Sequence, residues 1–216
     1  MRCNIKTNRE LLAQGTVECD THDEAYKKLS EVNPKDEDFI FNNTEGWEKI
    51  SLSSASIITV SDGEDILEAQ KIIDGKINTS WKTNKYYSKP EVLIDLGNIK
   101  EVSRIILFNR YTVARGTGGG NNAVKILKLS YSNTNASDLK ELGQFNLDGP
   151  KAFCAKIKSG GQICTFVDDT SPNIIEIPGT HIRYLKIKFV EAFWGDDIPD
   201  DWRDSFSLTK IELYKD

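Results

Sequence analysis

Long apolar runs and an excess of basic residues are both missing from this 216-residue chain. The longest apolar run is Ile105–Phe108, far short of the roughly 20 apolar residues that a membrane-spanning helix needs. The formal net charge is −5, which disfavours nucleic acid as a partner because a phosphate backbone rewards a basic surface. The sequence therefore predicts no membrane span and no nucleic-acid binding.

The N-terminus also lacks the apolar segment of a signal peptide, since residues 1–15 mix polar, charged and apolar side chains. We expect either an intracellular protein or an extracellular or cell-surface protein whose export signal has been removed. The sequence does not decide between these two localisations.

Sequence signatures of catalysis are missing as well. Neither HExxH, nor GxSxG, nor a P-loop lysine motif occurs. The glycine-rich stretch 116–122 lies between two predicted strands, so a loop that faces a ligand is favoured over a phosphate cradle. His22 and His181 lie far apart in the sequence, and neither is near a nucleophile pattern. These absences predict that the protein is not an enzyme.

Cysteine is sparse, and its spacing disfavours a metal site. Cys3, Cys19, Cys154 and Cys164 form no CxxC pair and have no accompanying pair of histidines, so zinc is not expected. Cys154 and Cys164 flank a predicted hairpin turn at residues 159–161. Two interpretations stay open for them: a disulfide bond, if the register of the hairpin suits, or two free thiols.

The patterning that is present divides the chain near residue 50. Thr21 and Glu24 form a capping box ahead of a short apolar stripe, which predicts a helix near residues 22–32. From about Glu48 onwards, apolar and polar residues alternate as in strands. We therefore expect residues 1–50 to be an N-terminal extension with one helix.

Five segments of the remaining chain show strand-like alternation between loops rich in Gly, Asn, Asp and Ser. They are residues 91–97, 102–109, 125–132, 184–190 and 211–213. Short alternating strands with a single helix predict an all-β fold, an antiparallel β-sandwich over residues 51–216.

Several short motifs in this region stand in a characteristic order. They are Ser54–Ser56, Lys71–Thr83, Ile94–Gly97, Arg183–Ile187 and Ser207–Tyr214. Their order and spacing resemble the discoidin, or coagulation-factor C-type, domain, which is galactose-binding-like and similar to family 32 carbohydrate-binding modules. The resemblance covers about residues 51–216, with an insertion around 145–175. It implies an eight-stranded jelly-roll sandwich whose ligand loops gather at one end.

Two residues inside these motifs have a structural interpretation that we favour over ligand contact. Trp81 is expected to pack in the core, because a large aromatic ring within a strand is most often buried. Asp95 is expected to be a carboxylate whose hydrogen bonds are satisfied within the fold.

The resemblance also implies a ligand site. Sugar-binding relatives carry a histidine after the motif tryptophan, an arginine after the next strand and an asparagine before the following one. Aromatic rings that stack on a sugar complete such sites. The positions here that match, or that offer such rings, are Lys82, Arg110, Tyr111, Asn121, Trp194 and Trp202. Lysine in place of histidine weakens a specific expectation of galactose. The alternatives to ligand contact are a solvated charge for Lys82 and a surface salt bridge for Arg110.

A structural calcium ion lies beside the Asp-Gly turn in most sugar-binding relatives. Its side-chain ligands here would be Asp74, Thr79 and a carboxylate at position 210, which is instead a lysine. An ammonium group has three donors and no acceptor, so it does not bind a cation. We therefore expect no cofactor, with Lys210 replacing the metal and tying the last strand to loop 71–79. A two-residue slip that makes Glu212 the ligand stays the alternative.

Three functions remain open at this point. We expect a non-catalytic, lectin-like module that recognises glycans through loops at one end of the sandwich. The alternative is a protein-interaction or cell-adhesion module, such as a scaffold subunit, with a protein partner and no sugar ligand. The third is an enzyme, because one fold hosts many activities.

Overall fold

The computed structural model describes residues 15–31, 46–61, 63–76, 79–83, 89–109, 123–147, 152–160, 162–166, 172–192 and 206–216. Within these ranges the helices are α1 (His22–Glu31), α2 (Ile66–Ala69) and a short 3₁₀ helix (Gln70–Ile73). The strands are β1 (Gly15–Cys19), β2 (Glu48–Ile50), β3 (Ser56–Val60), β4 (Trp81–Lys82), β5 (Glu91–Asn109), β6 (Val124–Ser132), β7 (Lys140–Asn146), β8 (Ala152–Ile157), β9 (Gln162–Phe166), β10 (Pro172–Ala192) and β11 (Ser207–Lys215).

Two long strands, β5 and β10, hold the sandwich together. They run antiparallel from Glu91 opposite Lys188 to Phe108 opposite Pro172. The first half of β5 lies between β3 and β10, and its second half lies between β10 and β11. The second half of β10 continues the sheet through β6 to β7. All these pairings are antiparallel, which confirms the predicted antiparallel all-β fold.

The predicted strands 91–97 and 102–109 are one continuous strand that turns at Gly97. This glycine has φ +82°, and a Cβ atom there would lie 2.8 Å from the carbonyl oxygen of Ser54. Glycine is required because other residues rarely adopt a positive φ, and because the neighbouring backbone leaves no room for a side chain. The turn glycine therefore bends β5 rather than ending it.

The core follows from alternation along the strands. In β11, Ile211 and Leu213 face the main core, whereas Tyr214 packs with Ile106 and Phe108 on the other side of the sheet. Trp81 is fully buried, with its ring centroid 5.5 Å from that of Phe189. This confirms the core interpretation of Trp81. Each large side chain buried in this way contributes about 1.5–3 kcal/mol to stability.

The N-terminal extension contains the predicted helix, α1, with most of its capping box. The hydroxyl of Thr21 accepts a hydrogen bond from the backbone N–H of Glu24 at 3.2 Å. The Glu24 carboxylate accepts from the N–H of Asp20, one residue earlier than a standard capping box. None of the helices in the described ranges is long and apolar enough to cross a membrane.

A small second sheet joins this extension to the insertion. The sequence predicted its β8–β9 hairpin turn but not the pairing of β8 with β1. β1 runs parallel to β8, and β8 runs antiparallel to β9. Pattern alone does not reveal such a sheet, because β1 and β8 are far apart in the chain. β2 instead pairs with β11, with Ile50 opposite Leu213, so the boundary predicted at residue 50 falls at the end of a strand of the main sheet.

Candidate ligand-binding site

Several strand ends meet at one end of the sandwich, which we call the loop end and define by Thr83, Asn109, Ala123, Ala192 and Phe206. The register brings them together: Ala192, the last residue of β10, lies opposite Val124, and Ser207 lies opposite both Lys82 and Ala123. Leu208 lies opposite Asn109. Because neighbouring strands start or stop here, the connecting segments 84–88, 110–122 and 193–205 all leave from the loop end.

Most predicted ligand residues belong to these three segments. Arg110, Tyr111, Asn121, Trp194 and Trp202 lie outside the described residues, so their roles stay predictions. The described residues that flank these segments nevertheless lie at the loop end. Asn109 and Ala123 flank the second segment, and Ala192 and Phe206 flank the third. Lys82 is described, and it lies at the same end.

Two pairs of hydrogen bonds, which we call the Asn109 and Thr83 clamps, join the strand ends at the loop end. The sequence did not predict them. The Asn109 amide is buried; its nitrogen donates to the Val124 carbonyl at 2.9 Å, and its oxygen accepts from the Val124 N–H at 3.1 Å. The hydroxyl of Thr83 accepts from the Phe206 N–H at 2.7 Å, and the Thr83 N–H donates to the Phe206 carbonyl. Buried polar groups must find partners, and here the partners are the chain segments that frame the loops.

Lys82 and Ser207 are two described polar residues that lie next to each other at the loop end. They are opposite neighbours on β4 and β11. Lys82 is exposed, and within the described part of the chain its ammonium has no ion-pair partner. The Ser207 hydroxyl is buried and has no hydrogen-bond partner there either, which is uncommon for a buried polar atom. This arrangement leaves one charged donor for a polar ligand.

The Asp74 turn is closed by its own neighbours. One carboxylate oxygen accepts from the Lys76 N–H at 2.8 Å, and the other accepts from the Thr79 hydroxyl at 2.8 Å. Gly75 provides the positive φ of +76° that the turn needs. The turn is therefore satisfied by protein donors at both carboxylate oxygens.

Lys210 contacts its own strand rather than the Asp74 turn. Its Nζ lies 2.9 Å from Glu212 Oε1 and 4.3 Å from the centre of the Phe108 ring. The Lys210 side chain is only 12% exposed. Residues two apart on a strand share a face, so Lys210 and Glu212 are natural partners.

Glu212 is the centre of a larger group, which we call the Glu212 cluster: Lys49, Lys210, Glu212 and Tyr214. Lys49 Nζ lies 2.5 Å from Oε1, and the Tyr214 hydroxyl donates to Oε2 at 2.9 Å. Burial by itself raises the pKa of Glu212. The hydrogen bonds from Lys49, Lys210 and Tyr214 together lower it by more than burial raises it, so the net pKa lies below its ordinary value. Burial and the neighbouring carboxylate together raise the pKa of Tyr214.

These contacts do not fit a calcium ion. Asp74 and Glu212 both line one cavity of about 450 Å³, but the acceptor oxygens of each already receive protein donors. Within the described ranges, no group of three or more His, Cys, Asp or Glu residues is placed to hold a metal. Calcium requires several oxygen ligands, and the sequence has a lysine at position 210, where the resemblance would place one of them. The expectation of a metal-free protein stays a prediction.

Asp95 has the structural role that we favoured. Its Oδ1 accepts from the Gly97 N–H at 2.8 Å and lies 3.3 Å from Nε of Arg183. The carboxylate therefore supports the bend of β5 and joins it to β10.

Comparisons with known proteins agree with this architecture. The family model of the F5/8 type C domain matches residues 49–200. No curated protein matches the chain.

Solved structures show the same fold at low sequence identity. The family 32 module of NanJ from Clostridium perfringens, in complex with galactose, is 15% identical, with a TM-score of 0.52 over 78% of this chain and 99% of that one. A second module from that organism, CpGH89CBM32-5 in complex with GalNAc-β-1,3-galactose, is 16% identical, with a TM-score of 0.50 over 78% and 100%. CBM32-3 of a family 31 glycoside hydrolase, also from Clostridium perfringens, is 17% identical, with a TM-score of 0.53 over 78% and 95%.

Proposed function

This chain belongs to the F5/8 type C domain family, and we propose that it is a non-catalytic carbohydrate-binding module that recognises glycans through the loop end. The observation that carries the proposal is the convergence of strand ends around an exposed lysine, Lys82. Two structural neighbours, the NanJ module and CpGH89CBM32-5, were solved with galactose and with a galactose-containing disaccharide. Their fold is the fold of this chain.

The chemistry of the loop end suits a sugar. Glycans present several hydroxyl groups that accept and donate hydrogen bonds, and an ammonium group has three donors to offer them. Arg110 and Asn121 would add planar groups that bind neighbouring hydroxyls, and Tyr111, Trp194 or Trp202 would stack on the apolar face of a ring. Asn109 and Thr83 hold the bases of these loops in place, which reduces the entropy lost when a ligand binds.

A glycan array probed with the whole chain tests the proposal. We expect binding to a subset of glycans and no change in the bound sugar, as a binding module requires. Arg110→Ala and Lys82→Ala should each weaken the hits, whereas Lys100→Ala is the matched control, because Lys100 lies near the bend of β5, roughly 30 Å along the strand from Asn109.

Two results would contradict the proposal. A folded protein that binds no glycan on the array would favour the alternative of a protein-interaction module. Binding that persists unchanged in both loop-end variants would place the sugar site elsewhere on the molecule.

A further inference from the structure

The two cysteines of the insertion lie directly opposite each other. β8 and β9 are antiparallel neighbours, and their register pairs Cys154 with Cys164. The flanking pairs, Phe153 with Thr165 and Ala155 with Ile163, show that this register is continuous on both sides. Opposite residues of an antiparallel pair have Cα atoms about 4.5–5.5 Å apart, within the range of roughly 4.4–6.8 Å that disulfide bonds require.

Cys19 does not compete for either cysteine in this arrangement. β1 runs parallel to β8, with Thr16 opposite Cys154 and Cys19 opposite Ile157. Cys19 is therefore offset from Cys154 by three residues, about 10 Å along the strands, which exceeds the limit of about 7 Å for a disulfide bond. Cys164 is a further strand away, because β8 lies between β1 and β9.

From this register we propose that Cys154 and Cys164 form a disulfide bond across the β8–β9 hairpin. The two thiols lose their protons and two electrons as the S–S bond forms. A low-molecular-weight disulfide, such as oxidised glutathione, accepts both electrons and both protons and is released as two thiols. The reaction is thiol–disulfide exchange, so an oxidising compartment or buffer drives it.

The bond would stabilise the small sheet with which the N-terminal extension pairs. β8 is the central strand of the small sheet, with β1 on one side and β9 on the other. Thr16 of the extension lies opposite Cys154 itself. A cross-link between β8 and β9 therefore fixes the edge to which β1 pairs, and this inference does not depend on what the loop end binds.

Tryptic mapping of the folded, oxidised chain tests the proposal. Cleavage at Lys and Arg places the four cysteines in four separate peptides, residues 3–6, 10–27, 152–156 and 159–183. After oxidation of the folded chain with glutathione, and alkylation of the remaining thiols in denaturant, we expect peptides 152–156 and 159–183 to be linked until a reductant is added. We expect Cys3 and Cys19 to be alkylated. Alkylated Cys154 and Cys164, or linkage of either to another cysteine, would overturn the proposal.

A variant with the cysteine moved by one residue tests whether the register of β8 and β9, rather than the general proximity of the two thiols, determines the bond. The double substitution Cys154→Ala, Ala155→Cys moves the thiol by one residue, and hence to the opposite face of the hairpin. We expect linkage to peptide 159–183 to fall at least about tenfold in rate, because the thiols no longer share a face. Equal rates in this variant and the natural chain would show that the register does not determine the pairing. Circular dichroism of both proteins checks that each is folded.

Discussion

Lys82 and Lys210 lie on the paired strands β4 and β11, but they have opposite surroundings. Lys210 is on β11, its side chain 12% exposed, held by the Glu212 carboxylate and the Phe108 ring. Lys82 lies opposite Ser207 at the start of the same strand, is exposed, and has no ion-pair partner among the described residues. A buried ammonium must be paired, whereas an exposed one is free to meet a ligand. The difference teaches that the position of each lysine, rather than its residue type, determines whether its ammonium is held by the fold or left exposed to solvent.

The largest effect is expected from Glu212→Gln. This change leaves Lys49 and Lys210 without their shared carboxylate, in a place where Lys210 is nearly buried. Removing one partner of a buried ion pair costs roughly 3 kcal/mol. Urea unfolding should therefore show a loss of that size in the free energy of unfolding. Glu48→Gln is the control, because its pair with Lys215 is exposed and should contribute less than about 1 kcal/mol. Equal losses would mean that the Glu212 cluster is not a structural centre.

Lys210→Met should have the next largest effect. Methionine keeps the apolar stem above Phe108 but removes the donor to Glu212, which retains Lys49 and Tyr214. The loss of one charged hydrogen bond is expected to cost about 2 kcal/mol in urea unfolding. The matched variant Lys82→Met should change stability far less, so this pair of variants tests the comparison of the two lysines directly.

Thermal unfolding in the presence and absence of Ca²⁺ tests the predicted independence from calcium. We expect the melting temperature of the natural chain to be equal in Ca²⁺ and in EDTA, because a ligand that does not bind the folded state does not stabilise it. A rise in melting temperature with Ca²⁺ that Asp74→Ala abolishes would contradict the prediction of a metal-free protein.

Acid should weaken the Glu212 cluster, although less than removal of the carboxylate does. The pKa of Glu212 is lowered in the folded state from its ordinary value of 4.5. A group with a lowered pKa contributes stability above that ordinary value, and the contribution is lost as the pH falls through the folded pKa. Urea unfolding between about pH 3 and pH 7 should therefore show a shallower acid-side decline in Glu212→Gln than in the natural chain. Parallel declines would mean that other carboxylates account for the whole acid dependence.

The sequence predicted the elements whose signal is local. The capping-box residues predicted α1, and the alternation of apolar and polar residues in the sequence predicted β6, the second half of β10 and residues 211–213 of β11. It did not predict that β5 continues through Gly97, because a turn glycine looks like a strand end until the neighbouring backbone at Ser54 is known.

The hydrogen-bond partners of the residues at the candidate site depend on which strand ends meet. The alternation of apolar and polar residues in the sequence does not reveal which ends these are. The Asn109 and Thr83 clamps each join segments that are separated in the chain, so their roles appear only in the folded structure. For Lys210 we expected contact with loop 71–79, whereas the structure pairs its ammonium with Glu212, two residues along the same strand. The period of two along a strand favours that pairing, and it could have been considered from the sequence.

The smallest effect on stability is expected from Lys82→Ala, and this variant tests the other half of the comparison. Because Lys82 is exposed and has no ion-pair partner among the described residues, its removal should change the free energy of unfolding by less than about 0.5 kcal/mol. If its ammonium donates to the glycan, binding should weaken about tenfold, equivalent to about 1.4 kcal/mol, measured by titration calorimetry with a sugar identified on the array. Lys82→Arg keeps a charged donor and should retain more affinity than Lys82→Ala, and Lys100→Ala should leave binding unchanged. A loss of stability as large as that of Lys210→Met would show that Lys82 is structural too, and the contrast between the two lysines would then fail. Unchanged sugar binding in Lys82→Ala, with weaker binding in Arg110→Ala, would keep the site at the loop end but place Lys82 outside it.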